Sequence, residues 1–184
     1  MSERTNVCPV ELSGSLDNKL RKIFQNPKKI LNGFLREGIK VADIGCGPGF
    51  FTIEIAKIVG NNGKVYAVDL QEGMLQKVKA KIKDTELQNI VVPIKCAEDK
   101  IEIPEEVDFM LAFFMVHEVP DKLKFFTQLK SCLKKRGKFL IVEPKHFHVS
   151  VADFEITLSY AKQAGFNISS GIKMFLTQSA VLSL

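Results

Sequence analysis

Cysteine is scarce in this sequence, and its thiols lie far apart along the chain. The four cysteines are Cys8, Cys46, Cys96 and Cys132. No two of them are spaced as a zinc-binding or redox pair motif requires. We therefore expect free thiols, which are the default in a reducing cytoplasm, and no metal site.

Long apolar runs are missing as well. The longest uninterrupted one covers residues 109–116, far short of the roughly 20 residues that cross a bilayer. The first residues, Met-Ser-Glu-Arg-Thr-Asn, contain no apolar signal core. Low-complexity segments and internal repeats are also lacking. These absences predict a cytoplasmic protein without a membrane partner.

A strong charge of one sign is lacking too. Lysine and arginine number 26 against 21 acidic residues, which gives a formal net charge of +5. The densest basic group, Lys77, Lys79, Lys81 and Lys83, falls on one predicted helix, where a solvated face is the simplest interpretation. No nucleic-acid partner is therefore expected. With 184 residues, of which 46% are hydrophobic, the composition suits a single domain over residues 1–184.

A glycine-rich turn is the most informative feature that is present. Gly45, Gly47 and Gly49 alternate between an apolar strand pattern ending at Asp43 and a helical pattern. Glycines so spaced indicate positive φ angles, or a backbone that a ligand approaches closely. A dinucleotide-binding turn would place its third glycine where Phe50 stands. The carboxylate of Asp43 suits a ligand group of positive charge, such as an ammonium. A generic turn that binds nothing is the alternative.

Hydrophobic periodicity predicts strands that alternate with helices. A helix with Leu123, Phe126, Leu129 and Leu133 inward is expected to end at the basic run before Gly137. A later helix should begin after Ser150 and end before Gly165. The first predicted strand ends at residue 43. The other six cover residues 64–69, 90–94, 107–113, 138–142, 167–172 and 174–182. The tightly joined last pair must include an antiparallel strand. This order predicts an α/β, doubly wound, mostly parallel sheet.

An acid at the end of the second strand extends the binding hypothesis. Asp69 lies twenty residues after Gly49. That distance suits a carboxylate whose two oxygens bind both ribose hydroxyls of an adenosine. The alternative is that Asp69 caps the helix that contains Glu72, and the two roles can coexist.

The run Asp43-x-Gly45-x-Gly47-x-Gly49 closely resembles the first motif of the class I S-adenosylmethionine-dependent methyltransferases. The resemblance covers nearly the whole chain from residue 26 onward. It implies a Rossmann-like, seven-stranded sheet with one antiparallel strand, and S-adenosyl-L-methionine as the cofactor. The cofactor-binding residues that it implies are Asp43, Gly45, Cys46, Gly47, Gly49, Asp69, Leu70, Ala97, Glu98 and Ala112. Among these, Leu70 stands where the family packs an apolar side chain on the adenine.

The third motif of that family departs from its pattern here. The family has Gly-Asp-Ala-Glu or a close relative, and this chain has Lys95-Cys96-Ala97-Glu98. Cys96 therefore replaces the acid that usually takes the adenine amino group, and a thiol is a weak acceptor. Asp99 or the backbone of Ala97 is the alternative contact for the adenine.

Histidines supply the candidates for catalysis. Residues 112–121, with His117, resemble the segment after the fourth strand in the ubiquinone and menaquinone methyltransferase-like group. His117 is either a general base or a structural histidine bonded to a backbone carbonyl, and the structural role is favoured because the family keeps it across very different substrates. Glu143 and the proline after it also resemble that group. His146, the second catalytic candidate, and His148 follow in a predicted substrate wall. A metal held by these histidines and Glu143 is disfavoured, because an H-x-H loop defines no third ligand.

Missing motifs narrow the methyl acceptor. Enzymes of this class that methylate amino groups of DNA or protein glutamine carry an Asn- or Asp-Pro-Pro-aromatic run, where this chain has Ala112-Phe113-Phe114-Met115. Base C5 methylation needs a cysteine near a Pro-Cys turn, and Cys8-Pro9 is reversed. We predict direct in-line methyl transfer to a small, partly apolar molecule. An RNA methyltransferase and a non-catalytic cofactor-binding protein of the same fold are the alternatives.

Residues 1–36 are interpreted as a helical extension before the first strand. An amphipathic helix is expected from residue 12, restarted by Asn26 as N-cap and Pro27 at the first helical position. In the resembling family this segment often covers the donor site. We therefore predict residues 16–23 as a possible lid at the carboxyl edge of the sheet, with packing elsewhere as the alternative.

Overall fold

Seven strands form one sheet in the structure, a computed structural model that describes residues 25–145 and 149–184. Their spatial order is 3-2-1-4-5-7-6 in chain numbering. The first five strands are parallel to one another, and the seventh is antiparallel to both strands beside it. In chain order the strands are β1 (Lys40–Ile44), β2 (Lys64–Asp69), β3 (Val91–Lys95), β4 (Val107–Phe113), β5 (Leu133–Pro144), β6 (Asn167–Ser170) and β7 (Thr177–Ser183). The predicted fold class, with its one antiparallel strand, is confirmed.

Helices cover both faces of this sheet. One apolar cluster packs the first three helices on one face, and a second packs the last two on the other. Neighbouring strand residues such as Val41 and Ala42 belong to different clusters, because successive side chains of a strand point to opposite faces. The helices are α1 (Pro27–Ile30), α2 (Phe50–Val59), α3 (Glu72–Ile82), α4 (Lys122–Ser131) and α5 (Val151–Gln163). None of the described helices is long and apolar enough to cross a membrane.

The central strands are apolar on both faces because both faces are covered. Val41 and Ala42 of β1 are fully buried, as are Met110 and Leu111 of β4. Such continuous apolar strands are typical of parallel sheets between helix layers. Pro93 lies in β3, the strand at one edge of the sheet, where its missing N–H group costs no ladder hydrogen bond.

The boundary between α4 and β5 differs from the prediction. The helix ends at Ser131, and residues from Leu133 through Gly137, which periodicity assigned to the helix and its end, form the first part of β5. Leu133 pairs with Val107, and the register shifts before Phe109. Leu133 is buried by this pairing. An apolar residue at position 133 suits the inward face of a helix as well as the buried face of a strand. The pairing with β4 therefore determined that Leu133 lies in a strand.

The described part of the N-terminal segment is less helical than predicted. Asn26 caps α1 and Pro27 takes its first position, as the sequence indicates. The helix ends at Ile30 after one turn, and Gly33 adopts a φ of +83°, a left-handed conformation that a helix does not contain. Residues 16–23, the predicted lid, lie outside the described residues.

The last strands are shorter than predicted, and the link between them is longer. Residues 171–176 join β6 to β7. Thr177, the first residue of β7, pairs with Pro144, the last of β5. The link therefore lies at the carboxyl edge of the parallel strands. Before it, α5 begins as predicted with Ser150, whose side chain forms a reciprocal capping box with Asp153.

Candidate functional site

The glycine-rich turn lies at the carboxyl end of β1, near the middle of the sheet. The chain leaves β1 towards β2 on one side and leaves β4 towards β5 on the other, which makes this edge the switch point where open α/β sheets bind ligands. Gly45, Gly47 and Gly49 have φ angles of +68°, +53° and +86°, so the predicted positive angles are confirmed. The N–H groups of Gly45 and Cys46 both donate to the carbonyl of Val68, at 2.8 and 3.0 Å. The turn is thereby fixed to β2 and leads directly into α2.

The three glycines have different surroundings. A Cβ atom on Gly45 would lie 2.7 Å from Cγ of Met115, and one on Gly49 would lie 3.1 Å from Cγ2 of Val78. A Cβ atom on Gly47 would meet nothing within 4 Å. Gly45 and Gly49 are therefore required for packing, whereas the space beside Gly47 allows a ligand to approach the backbone.

Replacing Gly45 by alanine should destabilise the protein more than replacing Gly47. Both changes place a side chain at a positive φ, at a cost of about 1–2 kcal/mol. Gly45→Ala adds the collision with Met115, which raises its cost by about 1–3 kcal/mol. Urea unfolding measures both losses, and Met115→Ala should remove most of the difference. Equal losses in the two glycine variants would contradict this packing.

Asp69 lies beside the turn and is almost fully buried. Its Oδ2 accepts a hydrogen bond from the N–H of Gly47 at 2.8 Å, and its Oδ1 accepts one from the N–H of Gln71 at 2.9 Å. Burial raises the pKa of Asp69, and these two bonds act against that increase. The N–H of Leu70 is a third backbone donor to this carboxylate. A carboxylate has about four lone-pair sites on its two oxygens, so Asp69 can still accept a ligand hydroxyl. The N-cap of α3 is Gln71, whose own side chain makes no capping hydrogen bond. Asp69 is therefore not itself the N-cap, although it accepts the N–H of that residue.

Asp43 lies beneath the turn. Its Oδ2 accepts a hydrogen bond from the hydroxyl of Thr52 at 2.6 Å, and both residues are buried. This bond ties the end of β1 to the first turn of α2. Sequence reasoning missed Thr52, although a lone polar residue in the apolar start of that helix was a signal. The carboxylate places negative charge below the glycines, next to any cationic group bound there.

The other predicted cofactor residues lie at the same edge of the sheet. Leu70 follows β2, and Cys96 follows β3. Ala112, in β4, is fully buried and pairs with Ile44 of β1. Ala97 and Glu98 begin a short exposed turn after Cys96. The structure therefore brings all ten predicted positions together, and their binding roles stay predictions.

The alternative adenine contacts have other partners. The carboxylate of Asp99 lies 3.3 Å from the Nζ atom of Lys124 on α4. The N–H of Ala97 donates to the carbonyl of Lys100 at 3.0 Å. Both groups are therefore already engaged by side chains or backbone of this chain.

The two thiols near the turn are poorly suited to act as nucleophiles. Burial, followed by the charges of Asp43 and Asp69, raises the pKa of Cys46 well above its ordinary value. Burial and the charge of Asp69 raise the pKa of Cys96 to about 11. Both side chains are therefore neutral thiols near pH 7, and reaction by thiolate is disfavoured.

His117 and Glu143 form a pair at the carboxyl ends of β4 and β5. Nδ1 of His117 lies 2.7 Å from Oε2 of Glu143, and the backbone N–H of His117 donates to Oε1 at 3.1 Å. Glu143 is 1% exposed. Burial alone would lower the pKa of His117, but the hydrogen bond and charge of Glu143 outweigh it and raise that pKa above 6.5. The partner of Nδ1 is thus a carboxylate, whereas the favoured structural interpretation expected a backbone carbonyl.

The pairing with Glu143 makes His117 suitable for proton transfer. A carboxylate on Nδ1 holds a proton there and directs Nε2 to exchange a proton with a substrate. Sequence reasoning named both residues and missed that they meet. His146 and His148 lie outside the described residues. Within 25–145 and 149–184, no three His, Cys, Asp or Glu side chains are placed to hold a metal ion.

A cavity of about 660 Å³ opens beside this pair. It lies between the N-terminal halves of α4 and α5 and has mixed polar and apolar walls. Burial lowers the pKa of Lys122 in its wall. The lining residues are His117, Pro120, Asp121, Lys122, Val149, Asp153, Ile156, Thr157 and Tyr160. Its volume is typical of sites for small molecules.

Known methyltransferases are similar to this chain in sequence and in structure. A family model described as a methyltransferase domain matches residues 35–173. A demethylmenaquinone methyltransferase from Staphylococcus saprophyticus is 33% identical over 112 residues, which cover 59% of this chain and 46% of that protein. A ubiquinone/menaquinone biosynthesis C-methyltransferase from Shewanella frigidimarina is 30% identical over 115 residues, 60% of this chain and 46% of that protein. The chain thus spans about half the length of these curated relatives.

A solved structure matches over nearly the full length of both chains. It is a SAM-dependent methyltransferase from Aquifex aeolicus, with a TM-score of 0.84 and 29% sequence identity. The match covers 96% of this chain and 98% of that one. The similarity therefore includes the sheet, the glycine turn and the strands that follow it.

Proposed function

This chain belongs to the methyltransferase domain family, and from that membership we propose that it transfers a methyl group from S-adenosyl-L-methionine to a small molecule. The family resemblance drawn from the glycine motif is thereby confirmed. When bound, S-adenosyl-L-methionine supplies a methyl group already activated on a sulfonium, so the protein mainly has to align and desolvate the reactants.

The observation that carries the proposal is the open backbone at Gly47 beside the carboxylate of Asp69. A Cβ atom at Gly47 would meet nothing within 4 Å, and Asp69 already holds the N–H of that residue at 2.8 Å. The carboxylate of Asp69, at the end of β2 beside this open backbone, suits adjacent ribose hydroxyls. The buried carboxylates of Asp43 and Asp69 also suit the positive charges of the methionine part, since opposite charges attract strongly away from water.

We assign proton transfer to the pair of His117 and Glu143. Glu143 holds the imidazole through Nδ1 and stabilises its protonated form, so Nε2 of His117 can take a proton from the acceptor. His117 also lines the cavity between α4 and α5. A hydroxyl that loses its proton there becomes a stronger nucleophile, either at its oxygen or at the adjacent carbon of an aromatic ring.

The acceptor that we propose first is a reduced quinone. Two relatives carry names of enzymes that act in ubiquinone and menaquinone biosynthesis. A dihydroxy-aromatic ring offers the acidic hydroxyl that the His117 pair would require. The cavity wall combines apolar side chains, such as Val149 and Ile156, with Lys122, which suits an aromatic body with a polar group.

Titration calorimetry tests the donor. S-adenosyl-L-methionine and its demethylated product should bind in the micromolar range, and NAD should bind far more weakly, because Phe50 occupies the place of the third dinucleotide glycine. A labelled methyl group should then appear in a dihydroxynaphthalene acceptor or in another molecule of a metabolite extract. Tighter binding of NAD would refute the proposed donor.

A further inference from the structure

Exposed apolar side chains are concentrated at the carboxyl edge of the sheet. Leu123, Val151 and Ile156 lie in the first two turns of α4 and α5, which begin at that edge. Phe175 and Leu176 lie in the link at the same edge. In the described part of the chain, the exposed large hydrophobic residues are Leu123, Val151, Ile156, Phe175, Leu176 and Leu184. Only the last of these lies at the opposite edge. Single exposed apolar residues are ordinary, but a group on one side marks an interaction surface.

The link at residues 171–176, here the rim loop, presents its apolar tip from a fixed base. Its carbonyl at Leu176 accepts from the N–H of Lys145 at 2.8 Å, and its carbonyl at Ile172 accepts from the hydroxyl of Ser179 at 2.6 Å. Ile172 and Met174 pack against the core. The apolar side chains that face outward are those of Phe175, which is 84% exposed, and Leu176, which is 46% exposed.

The backbone of the rim loop is strained at its tip. Leu176 has a φ of +52°, which is rare for a residue with a branched apolar side chain. Such conformations persist where the surrounding structure holds them, and they are found at binding surfaces. The strained residue is thus one of the two exposed apolar residues at the tip.

Positive charge accompanies this apolar tip. Lys173 is exposed within the rim loop, and Lys145 is bonded to it through the backbone. The loop contains no acidic residue. Apolar side chains flanked by lysines are the composition of segments that bind at the interface of a bilayer with anionic lipids.

We propose that the rim loop docks the protein on the surface of an anionic phospholipid bilayer. Phe175 and Leu176 enter the interfacial region, while Lys145 and Lys173 contact the headgroups. The proposal revises the expectation of no membrane partner. Only the biological reason for this binding rests on the proposed function, since a lipid-borne quinone would enter the site at the edge that faces the bilayer.

Tryptophan fluorescence gives a direct test, because the sequence contains no tryptophan. Phe175→Trp places the sole indole at the tip, and its emission should shift to shorter wavelength with vesicles of phosphatidylglycerol and phosphatidylcholine. Leu184→Trp, at the opposite edge, is the matched control and should not shift. Phe175→Ser should lower the partition coefficient by roughly ten- to hundredfold, as the loss of a buried aromatic side chain implies.

Charge variants test the headgroup contact. Lys173→Gln should weaken binding to the anionic vesicles about fivefold and leave binding to pure phosphatidylcholine unchanged. Lys135→Gln, at the exposed start of β5 on the opposite edge, should change neither. Vesicle binding is measured without cofactor or acceptor, so its failure is distinct from a failure of methyl transfer to a water-soluble acceptor.

Three results would overturn the proposal. In the first, Phe175→Trp shows no shift with any vesicle, or the control shifts equally. In the second, its emission is already at short wavelength without vesicles, which would show that the tip is covered in the free protein. In the third, sedimentation shows a dimer that Phe175→Ser dissociates, which would make a second copy of this chain the occupant.

Discussion

Asp69→Ala should weaken the binding of S-adenosyl-L-methionine by roughly thirty- to thousandfold, which is about 2–4 kcal/mol. In the proposed site, the variant removes the charge-assisted hydrogen bonds from Asp69 to the ribose. It also removes the acceptor that holds the N–H of Gly47 at 2.8 Å, so the glycine turn loses a fixed contact at the binding surface. Titration calorimetry measures the loss directly.

A cofactor analogue separates the ribose contact from the effect on the turn. The 2′-deoxy analogue should bind the wild-type protein much more weakly than the cofactor does, and the Asp69→Ala variant should discriminate much less between the two. Asp108→Ala, which removes an ion pair with Lys134 at the opposite edge, should leave cofactor affinity unchanged. If the analogue loses the same affinity relative to the cofactor in the wild-type protein and in the variant, Asp69 does not contact the ribose hydroxyls.

Glu143→Gln should lower kcat by about a hundredfold or more, the range of general acid–base catalysis. The variant keeps the shape of the side chain and removes the charge that stabilises protonated His117. Cofactor affinity should stay near that of the wild-type protein, because Glu143 contacts His117 and not the glycine turn. A fall in cofactor affinity with unchanged kcat would contradict the assignment of this pair to proton transfer.

The pH dependence provides the signature of the pair. A general base acts when it is unprotonated, so kcat/KM of the wild-type protein should rise with pH through the raised pKa of His117, above 6.5. In Glu143→Gln, the hydrogen bond and charge that oppose burial are lost, so the pKa of His117 falls and the rise should move to lower pH. The raised pKa of His117 in the folded protein also contributes to the free energy of unfolding. This contribution is complete below pH 6.5 and is lost as the pH rises through the pKa of His117 in the folded state. Urea unfolding of the variant should lack that dependence.

The sequence predicted the glycine turn well because its chemistry is local. The positive φ angles of Gly45 and Gly47 and the position of Asp69 follow from spacing along one stretch of chain. The bond from Gly47 to Asp69 and the pair of His117 with Glu143 join residues of different strands. Their existence depends on which strands become neighbours, and a single sequence does not define that at the level of side chains.

The errors in the predicted elements have a similar origin. Leu133 suits the inward face of a helix and the buried face of a strand equally, and its pairing with Val107 decided for the strand. Ile30 ends α1 although apolar residues continue at helical spacing, because Gly33 turns the chain away. In both places local propensity was nearly neutral, so tertiary contacts determined the structure.

The two apolar clusters separate the glycine turn and the cavity onto helices on opposite faces of the sheet. The helices that follow the glycine turn and Asp69 pack in one cluster, and the helices that enclose the cavity pack in the other. Met115, packed on Gly45, is a contact that links them. Substitutions in α4 and α5 can therefore change the proposed acceptor cavity while the proposed donor turn stays the same. A scaffold divided in this way can change its substrate and keep its cofactor.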